Sequence, residues 1–255
     1  MKSEDSYYSV PLEKALRILR LFTQNQELSL QEVAQKARIS KTSAFRFCNT
    51  FVQLGYLRKT PRTKLLELGT NAFMLANGLI RGFDLYRIVK PFLDEACNRY
   101  NVTVDSAIFD GESFGILYRR EVSGGLTYRM PMMTNALTCT ALGKAMLAFL
   151  PVKEQRKLVE KLPRDRRTEK TLVSIKDIMA DLRLTKKRGY ALNNEEFVPG
   201  FIAIGATFIN LNTQVVKGAV CFDFTTPQYS IGAIEKDYSQ AILKLGHNIS
   251  QAIPD

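Results

Sequence analysis

A run of positively charged side chains is the part of this 255-residue sequence best suited to binding a charged partner. Residues 33–66 contain no acid, and Glu32 and Glu67 flank them. The first 90 residues carry a net charge of +8, whereas residues 91–255 carry +3. Arginine and lysine bind phosphates, so the run favours a nucleic-acid partner over a merely solvated basic face. Its basic residues are Lys36, Arg38, Lys41, Arg46, Arg58, Lys59, Arg62 and Lys64.

Residues suited to catalysis are scarce by comparison. The chain has a single histidine, His247, which makes a Ser-His-Asp triad or a His-rich metal site improbable. Glu195 and Glu196 are adjacent, and neighbours on an extended segment point to opposite faces, so they cannot easily flank one glycosidic bond. We predict no catalytic residue, no metal ligand and no cofactor. The alternative is a small-molecule enzyme with an N-terminal interaction module.

The cysteines and the N-terminus favour a cytoplasmic protein. The four cysteines lie tens of residues apart with no C-x-x-C pair, which is typical of reduced thiols. Residues 1–10 include acids and lack an apolar core, so we expect no signal peptide. Residues 198–216 carry no charge, but their proline, glycines and asparagines indicate two strands joined by a turn at residues 210–213 and not a membrane span.

The basic run falls on elements typical of a helix-turn-helix. Apolar residues recur at helical spacing after Pro11, namely Leu12, Ala15, Leu16, Leu19 and Phe22. Ser29 and Glu32 form a capping box for a second helix that ends near Ala37. Ser40 then caps a third helix, Lys41 to Leu54, which ends at Gly55. We expect its inward side to consist of Ala44, Phe47, Cys48, Phe51 and Leu54.

The opposite side of the third helix carries side chains that can read DNA bases. Arginine and lysine suit guanine or phosphate, asparagine suits adenine, serine and threonine suit either, and an aromatic ring suits the thymine methyl group. Packing of Phe45 on a neighbouring domain is the alternative. The residues of this face are Lys41, Thr42, Ser43, Phe45, Arg46 and Asn49.

Two short apolar runs after Gly55, residues 56–58 and 64–68, flank a turn that contains Pro61 and predict a β-hairpin. A hairpin beside a helix-turn-helix is a wing, whose basic residues meet phosphates or the adjacent minor groove. Those residues are Arg58, Lys59, Arg62 and Lys64. The segment is therefore interpreted as a winged helix-turn-helix.

The C-terminal two thirds of the chain predict an α+β domain with a mainly antiparallel sheet. We expect helices at residues 85–101, 141–150 and 174–188 and a closing helix from Ile234, with strands at residues 104–110, 115–120 and 126–130 and from Tyr190, Phe201 and Val215. The helix that follows Thr140 offers free N–H groups at its N-terminus, which suit a carboxylate. A wide apolar side on residues 70–81 indicates subunit contact.

Six stretches of the chain resemble the IclR family of bacterial transcriptional regulators. They are ALRILRLF from Ala15, SLQEVAQKARISKTSAFRFCNTFVQLGYL from Ser29, LELG from Leu66, DLYRIVKPFLDEA from Asp84, TALGKAMLA from Thr140 and GYALNNEEFVPGFIAIGA from Gly189. The resemblance implies a winged helix-turn-helix in residues 1–69, a linker helix in 70–83 and a GAF-like effector-binding domain in 84–255. It also implies a homodimer, often a dimer of dimers, on a palindromic double-stranded DNA operator, and a small anionic metabolite as effector.

The same resemblance implies which residues contact the effector. They are Thr140, Ala141, Leu142, Asn193, Ala203, Cys221 and Asp223. The family often has Asp in place of Asn193, an Arg-Cys pair in place of Ile202 and Ala203, and Ser in place of Cys221 and Asp223. A buried Asp223 repels an acid unless it is paired or protonated, and it can accept hydrogen bonds from a hydroxyl-rich effector. We expect a small organic acid or sugar acid. Met130, Met132 and Met133 line the pocket or fill the core.

Overall fold

A computed structural model describes residues 7–23, 25–109, 113–122 and 133–254. The chain divides into two compact units, Met1–Phe83 and Asp84–Asp255, each with its own hydrophobic core. The N-terminal unit is a winged helix-turn-helix. Its elements are α1 (Val10–Leu21), α2 (Leu30–Lys36), α3 (Lys41–Gln53), β1 (Leu57–Lys59), β2 (Leu66–Leu68) and α4 (Thr70–Gly82).

Side-chain caps set the beginning of α2 and of α3. Ser29 Oγ accepts a hydrogen bond from Glu32 N at 3.2 Å, and the Glu32 carboxylate accepts one from Ser29 N at 2.8 Å. The hydrogen bond from the Ser29 backbone lowers the pKa of Glu32. Ser40 Oγ accepts from Ser43 N at 3.2 Å in the same way. The predicted capping box and the predicted start of the third helix are therefore confirmed.

The predicted inward faces of α1 and α3 are wrong in part. Leu12 and Leu16 of α1 are exposed. The buried residue of α1 is Ile18, and Phe22, directly after the helix, is buried as expected. On α3, Ala44 and Cys48 are buried, whereas Leu54 is exposed. Helical spacing identifies an apolar side but not the element that covers it, and in this small unit the core covers only part of each side.

The first turn of α4 attaches to the end of α3. Asn71 N donates a hydrogen bond to Gly55 O at 3.1 Å, and Asn71 Nδ2 donates to Leu54 O at 2.8 Å. This close approach requires a glycine at position 69, because a Cβ there would lie 2.2 Å from the carbonyl oxygen of Gly55. Strands β1 and β2 pair antiparallel between these two anchor points, with Leu57 opposite Leu68.

The C-terminal unit is a six-stranded antiparallel sheet with helices on both faces, and the predicted α+β fold class is confirmed. The strand order is β5-β4-β3-β8-β7-β6. One face packs on α5 and α9, and the other packs on α6, α7 and α8. The elements are α5 (Asp84–Tyr100), β3 (Thr103–Phe109), β4 (Phe114–Arg120), β5 (Met133–Thr134), α6 (Ala141–Ala148), α7 (Val152–Lys161), α8 (Ile175–Arg188), β6 (Tyr190–Asn194), β7 (Phe201–Ile209), β8 (Val216–Thr225) and α9 (Ile231–Ala252).

Several elements differ from the sequence-based expectation. Helix α7 was not expected, because it is short and only three of its ten residues, Val152, Leu158 and Val159, are apolar. Helix α9 begins three residues before Ile234, where Ser230 caps it. The strand expected at residues 126–130 lies outside the described residues. The uncharged segment 198–216 contains all of β7, the turn that follows it and the first residue of β8, in agreement with the predicted pair of strands. No described helix is long and apolar enough to cross a membrane.

Candidate nucleic-acid interface and ligand site

The predicted DNA-reading face of α3 is open in the N-terminal unit. Lys41, Thr42, Phe45 and Arg46 are exposed, and the accessible fraction of residue Phe45 is 54%. Ser43 and Asn49 are half-buried at its border. Within the described ranges, the side chains of Lys41, Thr42 and Arg46 make no hydrogen bond or ion pair. They are therefore free to bind another molecule.

The hairpin places a second group of cations beside this face. Lys59, Lys64, Phe45 and Asn49 line a cavity of about 200 Å³ between α3 and the hairpin. Its other lining residues are Leu30, Cys48 and Leu66. Arg58 and Arg62 are exposed, and Arg58 Nε lies 3.0 Å from Glu67 Oε1 in an ion pair across the hairpin.

Cationic side chains at the rim of such a groove can bind phosphate oxygens while the exposed face of α3 meets base edges. The structure thus brings four of the predicted residues to one concave surface, Phe45 and Asn49 from the helix and Lys59 and Lys64 from the hairpin. Their role in binding DNA stays a prediction. Cys48 beside the groove is not a reactive thiol, because burial raises its pKa to about 11.

The predicted effector residues meet in the C-terminal unit, on the sheet face that packs against α6. Asn193, Ala203 and Asp223 lie directly opposite one another on β6, β7 and β8. Cys221 lies opposite Gly205, two residues further along and on the same face. Thr140 caps α6, and its Oγ1 accepts from Gly143 N at 3.1 Å and donates to Ala136 O at 2.9 Å. All seven residues, including Ala141 and Leu142, are buried.

The first turn of α6 lies directly on this row of small residues. A Cβ at Gly205 would lie 3.2 Å from the carbonyl carbon of Ala141, so a larger residue there would push the helix from the sheet. The N–H groups of Ala141 and Leu142 have no acceptor within the helix, and the helix dipole is positive at this end. Asn193 Oδ1 accepts from Glu196 N at 3.0 Å. The arrangement can bind a carboxylate.

A charged cluster next to these residues was missed in the sequence. Asp105 on β3 lies opposite Cys221, and Arg119 on β4 lies opposite Asp105. Arg119 Nη1 is 2.5 Å from Asp105 Oδ2 and 3.4 Å from Asp223 Oδ2, and Arg119 Nε is 2.7 Å from Glu121 Oε1. The sequence did contain one signal for this cluster. Asp105 is the only charged residue of strand 103–109, and an unpaired charge is rare in a buried strand, so a cationic partner could have been expected.

Burial governs the protonation of this cluster. It raises the pKa of Asp105, and the neighbouring Asp223 raises it further while Arg119 opposes the shift. Burial likewise raises the pKa of Asp223 and that of the Cys221 thiol, whose Sγ donates to Asp223 Oδ1 at 3.0 Å.

The ligand atoms of Asp105, Cys221 and Asp223 lie within 4.8 Å of one another, close enough to share a metal ion. A metal would require the thiolate, which burial disfavours, and the Arg119 guanidinium already supplies positive charge there. The residues fit an organic ligand better.

A second buried charged group holds α6 to the loop after β6. Lys144 is 1% exposed, and its Nζ lies 2.6 Å from Glu196 Oε1 and 3.0 Å from Asp181 Oδ2. Glu195 instead pairs with Lys170 and accepts a hydrogen bond from Gly200 N at 2.8 Å. The two glutamates therefore have different partners. They lie in the loop after β6, with Glu195 at φ +57°, and not on the extended segment that the sequence-based interpretation assumed. Met130, Met132 and the side chain of Met133 lie outside the described residues.

The helix-turn-helix is a motif typical of DNA-binding proteins, and in this chain it is joined to an α+β unit that has a buried polar site. Residues 78–251 match the family model "Bacterial transcriptional regulator IclR C-terminal", and residues 11–61 match the IclR helix-turn-helix domain. The chain therefore belongs to the IclR family of bacterial transcriptional regulators.

Comparisons with individual proteins agree with this assignment. The HTH-type transcriptional regulator BhcR of Paracoccus denitrificans is 27% identical over 217 residues, which cover 85% of this chain and 78% of that protein. An IclR family transcriptional regulator from Brucella abortus has the same fold, with a TM-score of 0.82 and 24% sequence identity. The match covers 100% of this chain and 96% of that one. An IclR homolog from Microbacterium hydrocarbonoxydans, solved in complex with 4-hydroxybenzoate, also has this fold, with a TM-score of 0.77 and 15% sequence identity. The match covers 95% of this chain and 98% of that one.

Proposed function

We propose that this protein binds a specific DNA operator through α3 and the hairpin, and that a small acid bound in the C-terminal unit changes its affinity for that operator. The observation that carries the proposal is the exposed Phe45 between Thr42 and Arg46, on a helix whose other side is buried. An aromatic ring, a hydroxyl and a guanidinium in one row suit base edges in the major groove. Residues 1–69 would bind DNA, 70–83 would link the units and 84–255 would bind the effector.

The nature of the buried site supports an acid as the effector. The first N–H groups of α6 and the Asn193 amide face one row of small residues, where a carboxylate can accept hydrogen bonds. The homolog from Microbacterium hydrocarbonoxydans was solved with an aromatic acid, 4-hydroxybenzoate. An organic acid or a sugar acid is the effector class that this chain's residues favour.

Exposed apolar side chains in the N-terminal unit support a homodimer, with a dimer of dimers as the larger assembly. Five residues of α4 and two of α1 leave large apolar side chains in solvent, and contiguous apolar surface marks protein interfaces. A homodimer places two copies of α3 on one duplex, which matches a palindromic operator. These residues are Leu12, Leu16, Phe73, Met74, Leu75, Leu79 and Ile80.

Replacing Leu79 with aspartate is expected to weaken the homodimer at least about tenfold. Burial of a leucine contributes about 1.5–3 kcal/mol, and an aspartate in the interface would also have to lose its hydration. Sedimentation equilibrium of the full chain measures the change. Leu184→Asp is the matched control, because Leu184 is a similarly exposed leucine on α8. A Leu79→Asp protein that dimerises like the unaltered chain would contradict the assigned interface.

Selection from random duplexes, followed by fluorescence anisotropy at fixed salt, tests the proposed function. The chain is expected to enrich one palindromic sequence, and an acid from an organic, aromatic and sugar-acid panel is expected to change its Kd about 5- to 150-fold. Failure to enrich any sequence would contradict the proposal. Turnover of an acid with no effect on DNA binding would instead favour an enzyme.

A further inference from the structure

We propose that Asp105 and Arg119, on β3 and β4, contact the effector directly and, together with Asp223, select acids that carry hydroxyl groups. This inference rests on the proposed function, because it assigns ligand chemistry to the effector site of the C-terminal unit. It extends that site across two strands that the family resemblance does not include.

The strand register places these side chains on the face that holds the effector residues. Directly opposed residues of an antiparallel pair point to the same face, and Arg119, Asp105, Cys221 and Gly205 form one such row across four strands. Gly205 lies against the first turn of α6. Two strand spacings, about 10 Å, separate Gly205 from Asp105. One small acid can therefore reach from the helix to the charged cluster.

Three polar atoms on this face lack partners. Asp105 Oδ1, Arg119 Nη2 and Asn193 Nδ2 are buried and make no hydrogen bond within the described residues. Asp105 and Asn193 are fully buried residues. Buried polar groups normally have hydrogen-bond partners, so three unpaired polar atoms on one sheet face indicate that a ligand is their partner. One acceptor and two donors match a ligand that has both hydroxyl and carboxylate groups.

The charges of the cluster favour hydroxyl groups over a second anion. Three carboxyls, those of Asp105, Asp223 and Glu121, share the Arg119 guanidinium, so an added anion would find no unshared cation there. Burial raises the pKa of both aspartates, which favours their neutral form and limits the negative charge of the group. A hydroxyl can donate to Asp105 or Asp223 and accept from Arg119 Nη2. An unsubstituted acid would leave these atoms buried and unpaired, and a buried site of this kind discriminates strongly against a ligand that lacks the hydroxyl.

Isothermal titration calorimetry of the full chain tests the inference with acids of matched length. The probes are threonate against butyrate and gluconate against hexanoate. At least one polyhydroxy acid is expected to bind tenfold or more tightly than the unsubstituted acid of its length. Asp105→Asn is expected to remove most of that preference, because its remaining oxygen faces the guanidinium and its NH₂ group faces the ligand.

Two further variants keep the test independent of folding. Arg119→Lys retains a positive charge between the carboxyls but removes the second guanidinium nitrogen, so it is also expected to reduce the preference. Ser106→Ala is the matched control, since Ser106 is on the same strand and pairs with Val220 on the opposite face. The Ser106→Ala protein is expected to keep the full preference for polyhydroxy acids over unsubstituted acids.

The inference would be overturned if butyrate or hexanoate bound as tightly as its hydroxylated counterpart, if neither polyhydroxy acid bound, or if Asp105→Asn and Arg119→Lys both kept the preference. Operator binding is measured on the same preparations. Sequence-specific DNA binding that responds to a different acid would leave the proposed function intact and refute only hydroxyl selection. Absence of specific DNA binding would refute the proposed function itself.

Discussion

Replacing Lys144 with methionine is expected to lower the free energy of unfolding by about 3–5 kcal/mol, the usual penalty for removing one partner of a buried ion pair. Lys144 Nζ holds Glu196 at 2.6 Å and Asp181 at 3.0 Å. Methionine fills similar space but leaves the Glu196 carboxylate buried without a cation, whereas Asp181 retains some contact with solvent. Urea denaturation of the variant and of the unaltered chain measures the difference.

The destabilisation is expected to depend on pH in a defined direction. Burial raises the pKa of Glu196 in the folded chain, and Lys144 opposes the shift, so loss of the lysine raises that pKa further. A carboxyl with a raised folded-state pKa contributes stability at low pH that is lost as the pH rises through that pKa. The variant should therefore lose more stability at pH 8 than at pH 5.

The double variant Lys144→Met, Glu196→Gln is the matched control for this explanation. It removes the unpaired charge together with its partner, so it should recover part of the stability that Lys144→Met loses. A loss in Lys144→Met below about 1 kcal/mol, or a loss of equal size at pH 5 and pH 8, would contradict a buried ion pair that holds α6 to the loop after β6.

Replacing Arg46 with alanine is expected to weaken binding to the selected operator by about 1–3 kcal/mol, roughly 5- to 150-fold. Arg46 is exposed on α3, and its side chain makes no hydrogen bond or ion pair within the part of the chain that the structure describes. Its loss should not disturb the fold. Binding to random duplex DNA should weaken far less, because a base contact is lost and not only a phosphate contact.

Arg156→Ala is the control for Arg46→Ala. Arg156 is an exposed arginine on α7 that pairs with Glu160, and its removal should leave operator binding unchanged. Anisotropy titrations at one salt concentration compare the variants. An equal loss on operator and random DNA would assign Arg46 to phosphates, and unchanged operator affinity would exclude it from the interface.

Local chemistry explains why much of the N-terminal unit was predictable from the sequence. Ser29 with Glu32, and Ser40 by itself, cap α2 and α3 through hydrogen bonds to residues three positions away. Such signals are complete within a few residues. The exposure of Leu12 and Leu16 was not predictable in this way, since an apolar pattern does not reveal which partner covers it.

The ligand site shows the opposite case. The resemblance to the IclR family led to Thr140, Asn193 and Asp223, but not to the cluster of Asp105 and Arg119. That cluster exists because β3 pairs with both β4 and β8, and β8 is distant from β3 in the chain. The contact between Lys144 and Glu196 likewise joins a helix to a remote loop. Neither follows from spacing, because both depend on strand register and packing.

A photo-crosslinking side chain at position 45 tests most directly whether α3 enters the major groove. The substituted full chain is bound to its selected operator and irradiated, with the same group at Leu184 on α8 as the control. Crosslinks from position 45 to bases within the operator, and none from position 184, are the expected result. Crosslinks from position 45 only to protein, with the operator bound, would contradict DNA recognition by this face of α3.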